Sequence, residues 1–153
     1  MGYLADIYVI EKTRSKKLAI QFLNHFLPER VQSADDYSIP EYSETPSHQF
    51  KNPYDLMTYL ELNKNISNSI YWRNTDEKNP NKHGMIFYNK DETMVFGISR
   101  NIGIKGGLDS KSEYQCLSEM KTFFNTHLGY IDYENPPVDN YKEFIKIVSE
   151  LEK

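Results

Sequence analysis

Cysteine is nearly absent from this chain, which contains a single one, Cys116. One cysteine cannot form an internal disulfide, so the disulfide frameworks of small secreted domains are excluded. Long apolar runs are also missing, since no stretch approaches the roughly 20 residues that cross a bilayer. The residues after Met1 lack the basic and apolar regions of a signal peptide. We therefore expect a cytoplasmic protein that does not engage a membrane.

Runs of lysine and arginine are missing as well. The chain has 18 Lys and Arg residues against 22 Asp and Glu residues, a formal net charge of −4. Affinity for nucleic acid comes largely from neutralising phosphates, so this balance argues against a nucleic-acid partner. We expect the partner to be another protein, and the chain to be a monomer or a homodimer.

Motifs that dictate a reaction are absent. The four histidines are scattered without the spacing of a zinc motif, and Cys116 lies inside a helical pattern, so we predict no metal site, no cofactor and no catalytic cysteine. The sequence from Gly97 through Ser99 to Asn101 matches only the first half of G-x-S-x-G. Carboxylate pairs such as Asp35 and Asp36 lie in polar segments, where solvated charge is the default interpretation.

One glycine cluster could bind an anion. Gly103, Gly106 and Gly107 lie between a predicted strand and a predicted helix, where backbone amides and a helix N-terminus can hold a negative charge. Neither dinucleotide-binding nor P-loop spacing is present, and Asp109 would repel a phosphate. The competing interpretation is a flexible connection that uses glycine for positive φ.

Two apolar runs between His83 and Arg100 predict a β-hairpin at the centre of the fold. Alternating residues separate into two faces on each arm, and a polar segment from Asn89 to Glu92 supplies the turn. Further strands are predicted over residues 3–10, 69–73 and 130–134, and Asp6 is the only charge inside the first of them.

Apolar residues at three- and four-residue spacing predict four helices. Their stripes are built from Leu18, Phe22 and Phe26, from Leu56, Tyr59, Leu60 and Leu62, from Tyr114, Leu117, Met120, Phe124 and Leu128, and from Tyr141, Phe144, Ile145, Val148 and Leu151. Gly129 is the predicted stop of the third helix. The whole chain, 1–153, is thus predicted to be a single α+β domain with a mainly antiparallel sheet of about five strands, packed by about four helices.

The segment 28–52 has no sustained periodicity and is predicted to be a long, acidic, proline-containing loop. Loops of this length are usually functional or disordered, although a short strand hidden in the segment would weaken that inference. Tyrosine and arginine dominate the energetics of protein interfaces. We therefore assign a candidate binding surface to Tyr37, Tyr42, Tyr71, Arg73 and Arg100.

Two functional hypotheses follow from these patterns. The favoured one is a non-enzymatic protein-binding module, in one version a bacterial immunity or antitoxin-like protein that blocks a basic partner. The alternative is a small-molecule or anion-binding enzyme with its site near the loop from Gly103 to Gly107. A deep pocket with convergent charged groups would favour the enzyme, and a flat surface rich in tyrosine would favour the binding module.

Overall fold

The computed structural model describes residues 4–102 and 111–152, and these form an α+β fold. Four helices pack on a six-stranded antiparallel sheet, and a second sheet has two strands. The predicted class and the mainly antiparallel sheet are confirmed. The elements are β1 (Leu4–Glu11), α1 (Lys16–Phe26), β2 (Arg30–Gln32), β3 (Tyr37–Ile39), β4 (His48–Phe50), α2 (Pro53–Leu62), β5 (Asn68–Asn74), β6 (Asn81–Tyr88), β7 (Met94–Asn101), α3 (Lys111–Phe124), β8 (Gly129–Asp132) and α4 (Tyr141–Leu151).

The main sheet has the strand order β2-β5-β6-β7-β1-β8. Its two middle strands, β6 and β7, are the predicted hairpin, in which Ile86 lies opposite Phe96. The first strand of the chain, β1, pairs with both β7 and β8 and so joins the hairpin to the last strand. The edges of this sheet are the short strands β2 and β8.

The two faces of the main sheet are covered unequally. Helices α1, α2 and α3 bury one face in the larger core, which contains Trp72, Ile86 and Phe96. The other face is covered by α4, whose Phe144 and Val148 pack beside β8, β1 and β7. None of the described helices is long and apolar enough to cross a membrane.

The segment 28–52 is not the uninterrupted loop that the sequence predicts. It contains β2, which extends the main sheet beside β5, and the two-stranded sheet of β3 and β4. Ile39 is 4% exposed and belongs to the larger core. Strands of three residues are too short to produce a readable alternation, which is why the sequence pattern misses them.

The buried side chain of Arg14 connects three parts of the chain through hydrogen bonds. Its side chain is 5% exposed, and its guanidinium lies 5.2 Å from the ring centroid of Tyr88. The guanidinium donates four hydrogen bonds of 2.6 to 2.9 Å to the backbone carbonyl oxygens of Leu60, Asn63, Ile66 and Asn89. These carbonyls belong to the end of α2, the connection that follows it and the turn after β6.

Candidate functional site

Part of the second sheet face carries no helix in the described part of the chain. We call this part the open face; it is formed by the outward side chains of β5 and β6 and by the adjoining ends of β7 and β1. Tyr71 is 37% exposed there, Arg73 is exposed, and His83 and Phe87 are half-buried. The open face is therefore where side chains from several strands can meet a ligand.

A row of polar side chains crosses the open face. The strand register places Arg73 opposite His83, His83 opposite Ser99, Ser99 opposite Asp6, and Asp6 opposite Asp132. Directly opposed residues in antiparallel strands project from the same face with Cβ atoms about 5 Å apart. Five consecutive strands thus contribute one residue each to this polar row.

Within the polar row, His83 and Ser99 form a hydrogen bond of 2.8 Å between Nδ1 and Oγ. Burial lowers the pKa of His83, and the nearby Arg73 guanidinium lowers it further. In a catalytic triad the acid orients the histidine through its second nitrogen, whereas Asp6 lies on the far side of Ser99 from His83. Ser99 is only 2% exposed. The pair therefore does not present a nucleophile to a substrate.

The charge state of His83 provides a direct check on the polar row. We expect the pKa of the His83 imidazole to lie below the ordinary value of 6.5. Arg73→Gln should raise this pKa, because it removes the positive charge of Arg73 from beside the imidazolium. NMR titration of the His83 ring protons measures both values, and Lys78→Gln, in the exposed connection before β6, is the matched control. An unchanged His83 pKa in Arg73→Gln would show that Arg73 does not act on the imidazole.

Asp6 is a buried carboxylate on the open face, only 8% exposed. Desolvation raises its pKa to about 6; the backbone N–H groups of Glu134 and Asn135 act to lower it, and the carboxylates of Asp132 and Glu134 act to raise it. Within residues 4–102 and 111–152, no lysine, arginine or histidine forms an ion pair with Asp6. Acids with perturbed pKa values cluster at functional sites, so Asp6 is a candidate site residue.

An aromatic groove of about 370 Å³ lies next to Asp6. The ring centroids of Tyr71 and Phe87 are 5.8 Å apart with perpendicular planes, and Phe87 makes an edge contact with Tyr8 at 6.1 Å. The Tyr8 hydroxyl donates a 2.5 Å hydrogen bond to the Asn135 carbonyl, which holds the segment after β8 over the groove. The residues that define it are Asp6, Tyr8, Tyr71, Met85, Phe87 and Glu134.

A second depression, the tyrosine pocket of about 330 Å³, adjoins the groove. Its lining includes Tyr37, Tyr42 and Tyr71, three residues of the predicted binding surface. The Glu41 carboxylate accepts hydrogen bonds from the Ser69 backbone N–H, at 3.1 Å, and from the Ser69 hydroxyl. Tyr71 lines both depressions, so the tyrosine pocket and the aromatic groove form one continuous surface.

The structure places the five residues of the predicted binding surface in different environments. Tyr42, 82% exposed, joins Tyr71 and Arg73 on the outside of the molecule. Tyr37 borders the tyrosine pocket but is 7% exposed and belongs to the larger core. It is buried because β3 turns it inward, so its ring cannot serve as an interface anchor.

Arg100 is not part of the binding surface. It is 4% exposed and donates to the Asn81 side-chain oxygen at 2.7 Å and to the Ser112 carbonyl at 2.9 Å. Its guanidinium is also 3.5 Å from Glu119 of α3. Successive residues of β7 point to opposite faces of the sheet. Arg100 therefore lies with Ile98 on the face that the helices cover, whereas Ser99 lies on the other face.

The predicted anion site stays a prediction. The proposed anion site at Gly103, Gly106 and Gly107 lies outside the part of the chain that the structure describes. In the described ranges, no group of three His, Cys, Asp or Glu residues could hold a metal ion. A wide depression of about 770 Å³ beside Tyr114 and His127 is lined only by α3 and the turn after it.

Sequence reasoning misses Asp6, Tyr8, Phe87, Ser99 and Glu134 as site residues. The signal for one of them is present, because Asp6 is the single charge inside an apolar strand. The others become neighbours only through the register of β1 with β7 and β8.

Comparisons with protein-family models, curated proteins and solved structures found no match.

Proposed function

We propose that the protein is a non-enzymatic protein-binding module that contacts its partner through the open face and the tyrosine pocket. The observation that carries this proposal is the position of Tyr71, which joins the aromatic groove to the tyrosine pocket and makes one continuous aromatic surface. Tyrosines supply large contact area and a hydroxyl for hydrogen bonding, as interface anchors do. In this proposal the module acts in the cytoplasm, as its single cysteine suggests.

The acidic balance of the chain supports a basic partner. The formal net charge is −4, and Asp36 and Glu41 line the tyrosine pocket. Charge complementarity of this kind raises association rates and disfavours partners of the wrong sign. In its most concrete form, the module is a bacterial immunity or antitoxin-like protein that blocks a basic protein.

The alternative, an enzyme that binds a small molecule or an anion near Gly103 to Gly107, has less support. The aromatic groove on the open face is shallow, and Ser99, whose hydroxyl lies beside His83, is buried. An enzyme needs a reactive group within reach of its substrate. The alternative stays a prediction that rests on the glycine cluster alone.

The proposed surface can be tested by site-specific photocrosslinking. A benzophenone amino acid replaces Tyr42 or Tyr71 in separate variants, and Tyr114, which is 59% exposed on α3, serves as the matched control. We expect positions 42 and 71 to crosslink the same protein in native lysate, identified by mass spectrometry, while position 114 does not. Equal adducts at all three positions, or none at 42 and 71, would contradict the proposal.

Point substitutions are preferable to deleting the acidic segment. A deletion from Asp35 to Thr45 would remove Tyr37 and Ile39, both of which belong to the larger core. The expected result of that deletion is therefore an unfolded chain, which would lose any partner for an uninformative reason. Tyr42→Ala leaves the core intact because its ring is 82% exposed.

A further inference from the structure

We propose that the aromatic groove receives a lysine or arginine side chain of a basic partner protein. This inference rests on the proposed function and specifies its chemistry: the cation pairs with the carboxylate of Asp6 and lies against the rings of Tyr71 and Phe87. Glu134, at the exposed rim, supplies a second negative charge.

The first support is the unbalanced charge of the groove. Asp6 and Glu134 line it, Asp132 lies opposite Asp6 on β8, and none of the described residues that line the groove is basic. A buried carboxylate without a cation is unfavourable, because the backbone N–H groups of Glu134 and Asn135 replace the lost hydration of Asp6 only in part. A cationic side chain placed in the groove would supply the missing countercharge.

The second support is the aromatic lining. Phe87 lies between Tyr71 and Tyr8, with centroid distances of 5.8 and 6.1 Å to the two rings. Ammonium and guanidinium groups are attracted to aromatic faces, and the attraction grows as water is excluded. The methylene stem of lysine or arginine would also bury apolar surface beside Met85.

The third support indicates a protein as the source of the cation. The aromatic groove is shallow and continues through Tyr71 into the tyrosine pocket, where Glu41 adds another carboxylate. A free amine would fill only the groove, whereas a polypeptide that presents a basic residue would also cover the tyrosine pocket. Affinity in such surfaces is concentrated on a few anchors, and the inserted cation would be one of them.

The proposal also implies proton linkage. Asp6 faces Asp132 from β8, Glu134 from the segment after it and Ser99 from β7, with His83 and Arg73 further along the polar row. A bound cation favours the ionised form of Asp6 and releases a proton where that group is partly protonated. Affinity should therefore fall as the pH drops through 6 and recover above it.

An NMR titration tests the groove with a defined probe. Acetyl-tetralysine-amide is added to ¹⁵N-labelled full-length protein at 150 mM salt, and the shifts of the amides of Asp6, Tyr71, Phe87 and Glu134 are followed. The comparison peptide has its four lysines acetylated. We expect binding by the charged peptide alone, and a Kd raised about tenfold, equivalent to 1.4 kcal/mol, by Asp6→Asn. Glu150→Gln, an exposed acid on α4, should change Kd less than about twofold.

Each outcome decides between the parts of the proposal. Equal binding by the acetylated peptide, or an unchanged Kd in Asp6→Asn, would overturn the cation site. Binding of butylammonium as tightly as the charged peptide would overturn the protein source. Crosslinking at positions 42 and 71 is independent of this result. If it captures a partner while Asp6→Asn leaves the peptide Kd unchanged, the proposed binding module stands and only the cation site fails. Binding of the peptide without any crosslinked partner would count against the proposed function.

Discussion

Arg14→Leu is expected to lower the free energy of unfolding by about 3–5 kcal/mol, a large part of the 5–15 kcal/mol typical of a domain. The substitution removes the donors for four carbonyl oxygens, those of Leu60, Asn63, Ile66 and Asn89. Each buried acceptor left without a donor is destabilising by about 1–3 kcal/mol, and leucine cannot replace any of the bonds. Urea denaturation followed by circular dichroism measures the change.

Arg73→Leu is the matched control for this prediction, because Arg73 is exposed and forms no ion pair within the described ranges. Its effect should stay within about 0.5 kcal/mol. Arg14→Lys should be intermediate, since an ammonium reaches fewer carbonyls than the planar guanidinium fork. A loss below about 1 kcal/mol in Arg14→Leu would mean that the carbonyls find other donors.

Local patterns were sufficient to predict most of the fold. The hairpin of β6 and β7 is recognisable because both arms alternate and the intervening turn is polar. The start of α2 is equally clear, since Asn52 accepts a hydrogen bond from the Tyr54 N–H and Pro53 occupies the first helical position. These signals depend only on residues close in sequence.

The third helix shows where local patterns fail. Met120 and Phe124 of the predicted inner face are buried, and Leu117 packs against the larger core, whereas Tyr114 is 59% exposed and the helix buries Glu113 and Cys116. The predicted stripe is thus wrong at Tyr114, because a hydrophobic pattern does not predict that a charged residue such as Glu113 is buried beside it. Gly129 was also wrong as the helix stop.

The helix instead ends at Phe124, and the next residue, Asn125, adopts a φ of 51°. Asparagine tolerates this left-handed conformation and can terminate a helix as glycine does. Gly129 begins β8, where a Cβ would lie 2.9 Å from the Tyr8 carbonyl oxygen. A glycine that follows a helix can therefore be required by close strand packing rather than by the helix end.

The candidate site could be predicted only in part because it depends on register. Tyr42, Tyr71 and Arg73 stand out by residue type, and each is on the surface. Asp6 and Ser99 are 93 residues apart and become neighbours only because β1 pairs with β7. A register shift of one residue would place them on opposite faces, and residues so far apart in sequence give no local signal of which strands pair.

Asp6→Asn is expected to raise the free energy of unfolding by about 2 kcal/mol at pH 7. The folded-state pKa of Asp6 is raised from 3.8 to about 6, so the ionised carboxylate destabilises the fold. A tenfold change in a proton-binding constant corresponds to about 1.4 kcal/mol. The gain in the free energy of unfolding is smaller than the pKa shift alone implies, because the amide accepts hydrogen bonds from the Glu134 and Asn135 N–H groups less well than a carboxylate does.

The pH dependence of this stabilisation identifies its cause. Between pH 4 and 6 the folded state binds more protons than the unfolded state, so the stability of the unmodified protein falls as the pH rises through this window. The advantage of Asp6→Asn should therefore be near zero at pH 4, grow up to pH 6 and stay constant above it. Urea denaturation across this range measures this advantage, with Asp76→Asn, a substitution at an exposed residue, as the control.

A difference in the free energy of unfolding that does not change with pH would indicate that Asp6→Asn acts through packing. A gain in stability joined to a loss of peptide binding would indicate that Asp6 is retained for recognition at the expense of the fold.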